Sequence, residues 1–219
     1  MTGETILAIV IALVVTFGAM VLHEIMHGLT AYWLGDDTAK RNGRLTLNPF
    51  AHVDPYMTIV MPVITTIYSV MSGGASPIFG GAKPVPIDPH KLRFGDWGVA
   101  LTAIAGPLTN LVLAFICYVI YTVSPIAANS ILGLILSYAV NVNLSLFAFN
   151  ILPIPPLDGS RVLYAVAPDW ARDVMNRIES YGTLLVFIIV MVASPVITKL
   201  LSAIMSGTLT GFNLLIGLF

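Results

Sequence analysis

Charge is the scarcest commodity in this sequence. Among 219 residues there are ten Lys or Arg and eleven Asp or Glu, about 10% of the chain. A soluble domain carries roughly 25%. So few charges, with 57% hydrophobic residues and a mean hydropathy of +0.91, exclude an ordinary soluble fold and point to several membrane-spanning segments. A net charge of -1 gives no basic excess for nucleic acid, so no nucleic-acid partner is expected. The single cysteine, Cys117, excludes an internal disulfide and reads as a packing or lipid-facing residue. No basic cluster precedes the first apolar run at Met1 to Glu4, so that run is expected to stay as an anchor, not to be removed as a signal. No internal repeat is visible, which argues against a transporter built from inverted halves. The methionines are dispersed and read as packing residues, not as a copper site.

What the sequence does contain is a run of helices broken by polar loops. The chain is expected to be an all-α polytopic membrane protein, one transmembrane domain over 1–219. Helices are expected near 5–34, 97–123, 130–151, 181–194 and 200–218, with Pro195 and Lys199 marking a turn before the last. The alternation over Arg44 to Leu47 predicts a short strand. Residues 56–93 hold a short apolar run interrupted by Pro62, then Gly73-Gly74, Gly80-Gly81 and Pro84, Pro86 and Pro89. They predict a re-entrant hairpin that enters the membrane and returns. A polar, amphipathic stretch lies at Pro168 to Glu179.

Within the first helix stands Val21-Leu22-His23-Glu24-Ile25-Met26-His27-Gly28. Residues four apart share one helical face, so both imidazoles can reach one metal ion with Glu24 beside it. Ionisable groups in an apolar helix cost about 2.5 kcal/mol or more each, so they are functional suspects. A catalytic zinc takes three protein ligands and leaves one position open. No third histidine follows within Gly28 to Leu34. Asp158, after the Pro-rich turn Pro153 to Pro156, is the best remaining carboxylate, although it could instead cap a helix. His52 could add a ligand or touch substrate, but a loop histidine bonded to its own turn is the simpler reading. His90 reads as a solvated residue, and Arg161 and the other basic residues as topology and headgroup contacts. Asn141, Asn143 and Asn150 suggest that the fourth apolar run turns a face to protein or water.

If Asp158 joins His23 and His27, the first and fourth runs must end at one membrane face, which requires 56–93 to make no net crossing. Nine of the ten Lys and Arg residues then fall on one side, with Lys199 alone on the other. By the positive-inside rule that side is cytoplasmic, the N-terminus is outside, and the site is nearer the cytoplasm of a cell membrane.

His23-Glu24-Ile25-Met26-His27, together with Asn150-Ile151-Leu152-Pro153-Ile154-Pro155-Pro156-Leu157-Asp158-Gly159, resembles the site-2 protease family of intramembrane zinc metalloproteases. Gly106-Pro107 with Asn110 also resembles the family, and Gly43 to Pro49, His52 to Pro55 and Ala82 to Pro86 resemble its compact prokaryotic branch, without PDZ or CBS domains. The resemblance implies a three-helix core around one Zn2+ held by His23, His27 and Asp158. It implies Glu24 as catalytic base, Asn150 as an aid to substrate or oxyanion binding, and transmembrane protein segments as substrates. The rival readings are a silent pseudoprotease that binds membrane helices and a metal transporter.

Overall fold

The computed structural model describes residues 3–61, 63–64, 67, 81–128, 130–182, 185, 188–189 and 192–217. Its principal helices are α1 (Gly3–Trp33), α2 (Thr38–Arg41), α3 (Asp96–Val123), α4 (Ile131–Asn150), α5 (Asp158–Val166), α6 (Asp169–Ser180) and α7 (Ser194–Ile216). Single helical turns at Pro49–His52, Pro55–Val60 and Pro89–Lys91 punctuate the long connection between α2 and α3. Among the described residues, four helices are long and apolar enough to cross a bilayer: Ile6–Trp33, Asp96–Val123, Ile131–Asn150 and Ser194–Ile216. The protein is an all-α, multi-pass membrane protein.

Alanines make up much of its buried surface. Ala19 and Ala31 of α1, Ala100, Ala103 and Ala114 of α3, and Ala139 and Ala148 of α4 are all buried. Large apolar residues such as Leu13, Val14, Val112 and Leu132 are more than half exposed. A soluble protein reverses this arrangement. Lipid is as apolar as leucine, so helices in a bilayer gain by close approach instead of by hiding large side chains. Helix α3 is the centre of the packing, in contact with α1, α4 and α5. Further along, Ala114, Val140, Leu144 and Phe212 form a core that joins α3, α4 and α7. Cys117 packs against that core, as expected.

Several expectations need correction. No strand is present among the described residues, so the short β region is not there. Across 44–47 the backbone has no neighbouring strand to bond. The Arg44 N–H donates to Ala39 C=O, the Thr46 C=O accepts from His52 Nε2, and the Asn48 N–H donates to Thr46 Oγ1. The alternation reflects a loop that passes over the α1 surface. The last helix starts at Ser194, not at 200, because Pro195 occupies its first turn, where a missing N–H costs nothing. Asn141 is exposed and bonds its own helix at Ser137 C=O, so it is not on the inward face with Asn143 and Asn150. Of the expected helix over 181–194, residues 182, 185, 188, 189 and 192 are helical, while 183–184, 186–187 and 190–191 lie outside the described residues, as do 62, 65–66 and 68–80 of the 56–93 hairpin.

The base of that hairpin is described, and it is closed. The Gly81 N–H donates to Met57 C=O at 2.9 Å, and the Lys83 N–H donates to His52 C=O at 2.8 Å. Thr58 Oγ1 donates to Gly81 C=O at 2.8 Å. The chain therefore leaves this point near residue 58 and is back at it by residue 81.

Candidate metal centre

Helix α1 carries His23 and His27 one turn apart on its inner side, with Glu24 directly after the first. Helix α4 ends at Asn150, and the turn that follows delivers Asp158 as the first residue of α5. That turn is tight because Gly159 sits on it: a Cβ there would lie 2.2 Å from Ile151 O. Asp158 is thus brought to the histidines from more than 130 residues away. Its Oδ2 lies 3.1 Å from His23 Nε2 and 3.3 Å from His27 Nε2, and the two Nε2 atoms are 2.9 Å apart. Both histidines are buried.

Helix α3 closes the other side. Gly106 presses directly on the two imidazoles: a Cβ at that position would fall 2.4 Å from His27 Nε2 and 2.6 Å from His23 Nε2. The small patch Ala105 to Pro107 is therefore what lets α3 approach. The outer ring nitrogens are both engaged by α3. His27 Nδ1 is 2.8 Å from Thr102 C=O, and His23 Nδ1 is 2.6 Å from Asn110 Oδ1. A carbonyl only accepts, so His27 carries its proton on Nδ1 and turns a lone pair inward at Nε2.

These distances test the fit of a metal. Tetrahedral zinc, with bonds of about 2.0–2.2 Å, sets neighbouring ligand atoms roughly 3.3 Å apart. Two imidazoles and one carboxylate are a donor set of catalytic zinc, and three acceptor atoms converging at 2.9–3.3 Å are suited to a cation between them. The orientation of each imidazole by a second hydrogen bond is also usual for zinc histidines. The residues fit the ion.

The cluster opens on a cavity of about 370 Å³. Its wall includes Glu24, Thr102, Asn150, Arg161 and the extended segment at Pro84, Val85 and Ile87. Glu24 Oε2 accepts from the Val85 N–H at 2.8 Å, which leaves Oε1 without a hydrogen-bond partner among the described residues. Asn150 is half-buried on the wall, and its Nδ2 donates to Leu146 C=O at 3.0 Å. Thr102 Oγ1 is buried on the same wall and unpartnered among the described residues.

All five residues singled out from the sequence meet here: His23, Glu24, His27, Asn150 and Asp158 line one cavity. Asp158 spends its side chain on the histidines, not on capping. His52 does not join them; it is buried and its Nε2–H donates to Thr46 C=O, the bond to its own turn expected of it. His90 is exposed, as expected. Four of the basic residues read as topology and headgroup contacts also have protein partners. Arg161 pairs with Glu179, Arg172 with Asp96, Lys91 with Asp88, and Arg44 donates to Lys83 C=O, because each has a protein acceptor within reach. Sequence reasoning missed the Thr102 carbonyl and the Val85 N–H, which are backbone groups without a signature. It noted Asn110 only within the family resemblance and Asn143 only on a face turned to protein or water.

Fold and site together define a class: helical membrane proteins that carry a hydrolytic type of zinc centre between their spans. Comparison with known proteins agrees. Residues 124–193 match the family described as Peptidase family M50. The chain is 39% identical over 191 residues to "Putative zinc metalloprotease YwhC" of Bacillus subtilis, a match that covers 84% of this chain and 80% of that one. It is 26% identical over 181 residues to "Putative zinc metalloprotease Rip2" of Mycolicibacterium smegmatis, covering 83% and 66%. It is 44% identical over 61 residues to "Putative zinc metalloprotease MJ0611" of Methanocaldococcus jannaschii, covering 28% and 31%. No solved structure matches the chain significantly. The chain belongs to peptidase family M50, the site-2 protease family of zinc metallopeptidases, and its cofactor is Zn2+.

Proposed function

We propose that this protein is an intramembrane zinc endopeptidase that cuts peptide bonds in or beside transmembrane segments of other proteins. The observation that carries this reading is the meeting of His23, His27 and Asp158 from two distant stretches, with Glu24 on the same cavity. His23, His27 and Asp158 hold the ion. Zinc, when bound, supplies Lewis acidity that makes water a nucleophile near neutral pH. Glu24 Oε1, free of other partners among the described residues, would take a proton from the attacking water and hand it to the leaving amine. The Val85 N–H fixes the other oxygen, so the base keeps one orientation. Asn150 turns its amide from Leu146 C=O toward the oxyanion that develops on the scissile carbonyl.

A helical substrate hides its own peptide bonds and must unwind to present one. The extended chain at 82–88 offers a partner for an unwound strand. Pro84 and Pro86 lack N–H groups and the Val85 N–H is held by Glu24, so pairing falls to Ile87 and the Val85 carbonyl, and both of these residues line the cavity. The hairpin from 56 to 93 then gates access or guides the substrate. The positive-inside rule orients the protein in the cell membrane with the N-terminus outside and the site nearer the cytoplasm.

The test is cleavage of a single-span reporter by the purified protein in lipid nanodiscs. Wild type cleaves it; Glu24→Gln abolishes cleavage while zinc remains bound. Equal cleavage by the two proteins, or wild-type protein free of transition metal after purification without chelator, overturns the reading.

A further inference from the structure

The hydrogen bonds behind His23 continue away from the metal centre. Asn110 Oδ1 faces His23 Nδ1 at 2.6 Å. On its other side, Asn110 Nδ2 donates to Asn143 Oδ1 at 2.9 Å. Asn143 Nδ2 in turn donates to the Ala139 C=O of its own helix at 2.8 Å. The line thus runs from α1 through α3 to α4. Asn110 is completely buried and Asn143 is 4% exposed, so water does not compete for these groups.

An amide can face either way unless something breaks the tie. Here the far end does. A backbone carbonyl can only accept, so the Asn143 amine must face Ala139 C=O. Its oxygen must then face Asn110. That oxygen accepts, so Asn110 must turn its amine toward it and its oxygen toward His23. His23 is left to carry its proton on Nδ1, with the lone pair on Nε2 aimed at Asp158 Oδ2 and His27 Nε2. The direction of the whole line is set by one main-chain acceptor on α4.

We infer that Asn143 is a positioning residue for zinc: it touches neither the ion nor a ligand, yet it fixes the tautomer of His23 through Asn110. This rests on the zinc reading of the His23, His27 and Asp158 cluster. Asn143→Leu removes the tie-breaker. Asn110 then gains nothing from its present orientation, and a flipped amide would place the proton on His23 Nε2, where it blocks ligation. Asn143→Asp keeps the direction, because a carboxyl still presents an oxygen to Asn110 Nδ2.

The experiment uses the full chain in nanodiscs, with zinc affinity measured by chelator competition and the His23 tautomer read by 15N-histidine NMR on zinc-free protein. Asn143→Leu is expected to lose ~10- to 100-fold in zinc affinity, the range for residues behind a ligand, and to show protonation on Nε2. Asn143→Asp is expected to keep wild-type affinity and the Nδ1–H form. A folded Asn143→Leu with wild-type affinity and an unchanged tautomer overturns the inference. So does an Asn143→Asp protein with impaired affinity, which decides the matter should the leucine variant not fold. Failure of the zinc reading itself looks different: wild type then binds no zinc, or Asp158→Ala binds as much as wild type.

Discussion

At the scale of single residues, the centre depends as much on what is missing as on what binds. Gly106 is the point where α3 lies on both imidazoles, and a methyl group there collides with atoms that must stay in place. Backbone on one side and two ring nitrogens on the other leave no flexible side chain to give way. Gly106→Ala should therefore lower zinc stoichiometry well below one per chain while the helix content by circular dichroism stays near wild type. Zinc retained at one per chain would show that α3 can retreat. The ligands were legible in the sequence because His23 and His27 form a local pattern and Asp158 sits in an equally local one. Their supports were not. Thr102 and Val85 contribute main-chain groups, which any residue type could supply, and Asn110 meets His23 across 87 positions.

At the scale of elements, the extended segment 82–88 is held by its ends. Near one end, Asp36 just beyond α1 is fully buried and its Oδ2 accepts the Asp88 N–H at 2.6 Å. Burial alone would raise this carboxyl, but the Thr38 hydroxyl, the Asp88 and Thr38 N–H groups and nearby Lys91 outweigh it and hold it below the ordinary range. A carboxyl lowered by folding gives stability that is complete above its unfolded pKa, about 3.9, and is lost as pH falls through the folded value. Protease nicking in the 82–95 stretch should thus increase on acidification below about pH 4. Asp36→Asn should show raised nicking already at pH 7 and little further change in acid. A wild-type profile for that variant would mean Asp36 does not hold the segment. The long helices were readable from unbroken apolar runs. The loop at 44–47 was not, since period-two alternation arises equally where an irregular chain crosses a packed surface. Nor was the start of α7, because proline marks a helix beginning as readily as a break.

At the scale of the whole molecule, the absence of a net crossing over 56–93, required if Asp158 joins the histidines, has a geometric counterpart. Helices α1 and α4 bring their C-terminal ends to one site, α3 runs between them in the opposite sense, and the 58–81 stretch returns to where it left. The proposed orientation then assigns each loop a side. In a Cys117→Ser background, single cysteines at Lys40 and Arg177 should react with a membrane-impermeant maleimide only from the cytoplasmic side. One at Ala128, in the connection between α3 and α4, should react only from outside. Labelling of all three from one face would refute the arrangement.

The closed root beneath residues 58–81 has a consequence for how such proteins diversify. A stretch whose two ends are paired with each other can be lengthened, shortened or exchanged without tugging on His23, His27 or Asp158, because strain arising within it ends at the Met57 and Gly81 pairing. On the proposed function, such exchange would retune which substrates are admitted while the metal centre is inherited intact.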